Sequence, residues 1–86
     1  MYDTDTIVIT TEPLTACSMK KGDHTTIRVK LGTKGWIMGP FLSTESTGVM
    51  FKFGEGRYAC WFETVNEDEM PLKLVSPPDP FKKPTF

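Results

Sequence analysis

Gly48-Val49-Met50-Phe51-Lys52-Phe53, the connection Gly54-Glu55-Gly56 and the return segment from Arg57 to Thr64 are the stretch whose reading decides the fold. In the first segment Val49, Phe51 and Phe53 share one parity while Met50 and Lys52 share the other, the pattern of a half-buried strand. A short connection holding two glycines suits a tight hairpin. On the return strand Tyr58, Cys60 and Phe62 oppose Ala59, Trp61 and Glu63. Successive side chains of a strand point to opposite faces of its sheet. If Phe51, Cys60 and Phe62 enter the core, Met50, Lys52 and Trp61 therefore stand together outside.

Working outward, His24 to Leu31 alternates in the same way, with Ile27, Val29 and Leu31 against Thr26, Arg28 and Lys30. Gly32 and Gly35 read as turn glycines, followed by a short strand Gly35-Trp36-Ile37-Met38 that Gly39-Pro40 should stop, since proline has no N–H for a central ladder. Phe41 to Thr47 reads as a polar loop. Asn66 to Met70 suggests one turn of 3₁₀ or short helix, and Leu72 to Val75 a closing strand. Thr6 to Thr10 and Leu14 to Met19 are candidates for added strands. No segment of ten or more residues carries helical apolar spacing. Residues 1–75 thus read as one all-β domain, and residues 76–86, with four prolines, as an extended Pro-rich tail.

The order of strand, glycine turn, Gly-Trp-Ile strand, loop, hairpin, acidic turn and last strand over residues 22–75 resembles the SH3-like small β-barrels. Gly32-Thr33-Lys34-Gly35-Trp36-Ile37 is similar to the Gly-x-x-Gly-x-Val/Ile turn of KOW and Tudor-type members. That resemblance implies an SH3-like barrel of about five strands, to which the β-forming Thr6 to Thr10 is a candidate extra N-terminal strand, in a class whose members bind peptides, methylated lysine or RNA, or act as accessory subunits. The Ala-Leu-Tyr-Asp-Tyr type segment and paired tryptophans of proline-reading SH3 domains are not found in this sequence.

Composition narrows the function classes. A chain of 86 residues buries only about 60% of the surface its unfolded form exposes, which suffices for one modest core. No apolar run approaches the roughly 20 residues that span a bilayer, and the opening MYDTDTIVIT is acidic where a secretory signal is basic. A cytoplasmic protein with no membrane partner is expected, its two cysteines, Cys17 and Cys60, reduced and buried. The size also suits a bacterial or phage accessory protein. One histidine and two isolated cysteines make no tetrahedral metal site, so no metal and no cofactor are expected.

Catalytic constellations fail for want of partners. His24 is the sole imidazole, in a charged turn, and Glu67, Asp68 and Glu69 are consecutive carboxylates with nothing apolar between them to separate their pKa values. No catalytic residue is assigned and no enzyme is expected. Charge is unevenly spread: residues 20–34 carry Lys20, Lys21, Arg28, Lys30 and Lys34 against Asp23, while residues 61–73 carry four acids against Lys73. With net charge −1, a nucleic-acid partner is disfavoured, because phosphate binding draws on a basic excess. The expected partner is a protein. Its candidate contacts are Trp61, Met50 and Lys52 on the hairpin, Arg28, Lys30, Lys34 and Trp36, and Phe81 and Phe86 in the tail. Two alternatives stay open: Trp61 covered by the N-terminal strand or the tail, and Trp36, Phe41, Tyr58 and Trp61 converging as an aromatic cage. The leading expectation is a small accessory or inhibitory protein docking on a larger one. The second is a KOW-like RNA or single-strand binder using the basic strand and the aromatics.

Overall fold

β-branched and aromatic residues at period two, interrupted by glycine, proline and polar turns, make strands almost throughout. The computed structural model describes residues 2–42 and 47–77. Its strands are β1 (Ile7–Thr10), β2 (Leu14–Ser18), β3 (Thr26–Val29), β4 (Lys34–Leu42), β5 (Thr47–Phe53), β6 (Tyr58–Phe62) and β7 (Leu72–Ser76). A single 3₁₀ turn, Glu67–Glu69, precedes β7, and the Asn66 side chain caps it by accepting from the Asp68 N–H at 3.1 Å.

All seven strands join one antiparallel sheet in the order β3-β2-β6-β5-β4-β1-β7. The sheet curls into an open half-barrel whose edge strands are β3 and β7. This corrects the expected closed SH3-like barrel of about five strands. The N-terminal segments are not additions to a finished barrel. β1 lies between β4 and β7, and β2 between β3 and β6, so β7 and β3 each reach the sheet only through one of them. A local pattern shows that a segment is a strand; it does not show which distant strand will pair with it.

β4 departs from expectation in a second way, running through Gly39-Pro40 instead of stopping there. Its register against β5 shifts between Met38 and Phe41, the signature of an irregularity at which proline's missing N–H is not called upon. The Gly39-Pro40 peptide is cis, and the Gly39 carbonyl accepts from the Thr4 hydroxyl. Phe41 and Leu42 are therefore strand residues, and Thr47 begins β5.

The concave side holds the core: Val8, Ala16, Val29, Ile37, Val49, Phe51, Cys60 and Leu72 from the strands, joined by Tyr2 and Met70 from irregular segments. Thr10 fastens the β3–β4 connection to β1. Its hydroxyl donates to the Lys30 carbonyl at 3.0 Å and accepts from the Thr33 N–H at 2.9 Å, while its carbonyl accepts from the Gly32 N–H at 2.9 Å. Gly32, at φ +85°, is the turn residue expected there. Gly35 is not: it lies buried inside β4. A Cβ at Gly35 would overlap the Lys52 carbonyl oxygen and come within 2.5 Å of the Phe51 ring. Gly35→Ala should therefore cost about 3 kcal/mol, at the upper end of ordinary overpacking, seen as a lowered urea midpoint. An unchanged midpoint would show that the sheet yields freely there.

Candidate functional site: the outer face of the sheet

With Val49 and Phe51 wholly buried and Cys60 nearly so, β5 and β6 must turn Met50, Lys52 and Trp61 outward. Met50 and Trp61 are direct cross-strand partners, and Met50 in turn faces Met38 on β4. Trp61 keeps 43% of its surface exposed and Phe41 40%. Their ring centroids are 5.8 Å apart with planes tilted by 36°. Gly48 makes this meeting possible. It pairs with Phe41, and a Cβ on it would come within 2.7 Å of the Trp61 indole. The indole thus lies across a glycine slot to reach the phenyl ring.

A second row crosses the entire sheet in register: Thr26, Cys17, Ala59, Lys52, Trp36, Ile7 and Ser76 are successive partners on the seven strands. A third places Ile9 between Lys34 and Lys73. Trp61, Met50, Met38 and Phe41 therefore form an apolar patch beside Trp36, with Lys52 and Lys34 near that tryptophan. The alternative in which β1 covers Trp61 is corrected, because β1 adds at the far side of β4. Phe81 and Phe86, and the tail beyond Pro77, lie outside the described residues.

Other sequence candidates scatter. Arg28 stands on the edge strand β3 opposite Thr15. Lys30 lies in the β3–β4 turn, where its carbonyl accepts from the Thr33 N–H and the Thr10 hydroxyl, four residues before Lys34. Tyr58 has the inward parity and packs against the core, so the four rings proposed for a cage do not converge. Met38, Phe41, Ile7, Ile9 and Lys73 were not singled out as partner contacts from the sequence. Parity marks Met38 as outward once Ile37 is core, but its place beside Met50 depends on strand register.

Lys20 and Arg57, with Ser18, Met19, Asp23 and Tyr58, line a groove of about 420 Å³. Its cations are offset by Asp23 and by Glu55, which pairs with Arg57 at 2.9 Å. Hydrogen bonds from the Thr25 hydroxyl and N–H hold the Asp23 carboxyl below its usual range. His24 is exposed. Glu69 accepts from the Thr64 hydroxyl at 2.9 Å within the acidic turn. Among the described residues no three His, Cys, Asp or Glu side chains group as metal ligands, and no helix is long and apolar enough to cross a membrane. The chain matches no protein-family model, no curated protein and no solved structure.

The cysteines differ in setting. Cys60 is buried as expected, but Cys17 is exposed, on the outer face beside Ala59. Both are free. Desolvation, then the nearby Cys17, pushes the Cys60 thiol from an ordinary 9.0 up to about 11. An unfolded thiol ionises near 9.0 while the folded one resists until about 11, so this group lowers stability as pH rises across that window and has no such effect below it. In native protein at neutral pH, an aromatic disulfide reagent should label Cys17 promptly and Cys60 only after denaturant is added. Equal labelling of both thiols in the native state would contradict the burial of Cys60.

Proposed function

We propose that the protein is a non-catalytic binding module, a small accessory or inhibitory protein that docks on a larger protein through the outer face of β4, β5 and β6. One observation carries this reading: Trp61 stands beside Phe41, Met50 and Met38 on a sheet face that no described segment covers. Large aromatic side chains of this kind supply most of the energy at protein interfaces, and methionine adapts to irregular partner surfaces. Lys52, with Lys34 and Lys73, would form the polar rim.

Nucleic acid is the second reading, favoured by the same lysines and by an exposed indole able to stack on a base. Against it stands the net charge of −1, since phosphate binding draws on a basic excess.

The deciding experiment is affinity capture from nuclease-treated lysate with wild type and Trp61→Ala, read by quantitative mass spectrometry beside urea unfolding of both. Phe51→Ala, from the fully buried core, should cost about 3–5 kcal/mol of stability, and Trp61→Ala less than half of that because its ring is already partly in water. A protein retained by wild type at near-stoichiometric level should fall about tenfold or more with Trp61→Ala, the loss of one hot spot. Equal retention by a folded Trp61→Ala protein would remove this face from the interaction.

A further inference from the structure

An apolar track crosses the outer face, and it begins where the chain leaves the sheet. Ser76, the last residue of β7, is the partner of Ile7, which in turn is the partner of Trp36. Ile7 and Trp36 have the outward parity, because Val8 and Ile37 are wholly buried. From Trp36 the track continues to Met38 on the same strand, to Met50 on β5 and to Trp61 on β6, with Phe41 beside the indole. Lys34 and Trp36 already have interactions within the chain. The surface left for an occupant is therefore that of Met38, Phe41, Met50 and Trp61, the methionines half-buried and the two rings exposed.

Strand direction aims the residues after β7 at this surface. β7 is antiparallel to β1 and β1 to β4, so β7 and β4 run the same way. Ser76 is level with Trp36, and the chain beyond it heads toward the level of Met38 and Phe41 rather than back to Lys34. Pro77 is exposed. The sequence that follows, Pro78-Asp79-Pro80-Phe81-Lys82-Lys83-Pro84-Thr85-Phe86, lacks N–H groups at three positions and so makes a poor further ladder strand. A proline-rich chain is instead suited to lie extended across aromatic side chains. At about 3.1 Å per residue, Phe81 reaches about 15 Å from Ser76 before its side chain is counted. Met38, two ladder steps across and two residues along, is about 12 Å away, and Met50 is one step farther.

We infer that residues 78–86 of this same chain occupy the outer face, with Phe81 packing against Met38 and Met50 beside the Phe41 and Trp61 rings. The short tether holds Phe81 at roughly millimolar effective concentration, so one modest apolar contact is enough to cover the patch. The contact stands by itself, while its consequence for binding rests on the docking reading above. A partner of this face has to displace the segment, and its apparent affinity is reduced by the fraction of molecules in which the face is free. The segment is a competitor built into the chain.

NMR of the full chain tests the contact. Through-space cross-peaks should join the Phe81 ring to the Met38 and Met50 methyl groups and persist on tenfold dilution, with the protein sedimenting as a monomer. Phe81→Ala should remove them, shift the Met50 methyl resonance and make tryptophan fluorescence easier to quench with acrylamide, leaving the urea midpoint in place. Leu31→Ala, an exposed apolar residue beyond β3, should do none of this. In the capture experiment Phe81→Ala should retain about threefold or more partner than wild type, as a face closed in most molecules requires. Absence of cross-peaks from Phe81 to both methyl groups overturns the inference. Cross-peaks that vanish on dilution overturn it as well, since the occupant would then be a second copy. Equal capture by wild type and Phe81→Ala removes the competition, and loss of the partner with Phe81→Ala would make Phe81 a partner contact instead. The docking reading is judged separately by Trp61→Ala, so either reading can fail while the other stands.

Discussion

Phe51 sits at the middle of the sheet with no exposed surface, paired with Ile37 on one side and Cys60 on the other. Its ring occupies the space that a side chain at position 35 would need, so Gly35 and Phe51 have to be considered as one packing unit. Once that ring is inside, period two leaves no choice for its neighbours. Met50 and Lys52 go out, Cys60 comes in, and Trp61 goes out. The outer patch is thus a geometric consequence of core packing on the opposite face. A slip of one residue between β5 and β6 would bury Lys52 and expose Phe51 together, which is why the register is strongly specified.

The same logic explains how much was legible in the residues. The β5–β6 hairpin and the grouping of Trp61 with Met50 and Lys52 follow from alternation and one short turn, both local properties. The 3₁₀ turn after Asn66 and the strand from Leu72 were legible for the same reason, through a capping side chain and a run of β-formers. What escaped was non-local. Nothing in Ile7–Thr10 announces that it will lie between β4 and β7, or in Leu14–Ser18 that it will join β6 to β3. Counting only locally secure strands suggested five and a closed barrel, whereas pairing the other two opens the sheet to seven. Gly39-Pro40 misled in the opposite direction, since a proline at a register shift removes no hydrogen bond from the ladder. Phe41, placed by that error in a loop, is a strand residue and a direct neighbour of Trp61.

Two parts of the outer face can be compared within the one fold. On β2 and β3 the outward positions are Thr15, Cys17, Thr26 and Arg28, small or polar, as a solvated sheet face requires. On β4, β5 and β6 they include Trp36, Met38, Met50 and Trp61. Folding asks the same of both regions: β-compatible side chains that tolerate water. The irregular segments give no reason for the difference, because Tyr2, Val65 and Met70 all pack toward the concave core. Threonine at positions 38, 50 and 61 would meet the demands of the sheet and leave less apolar surface exposed. The large apolar side chains on one half of the face are thus more than the sheet itself asks for, and under the proposed docking role a complementary apolar surface would be what accounts for them.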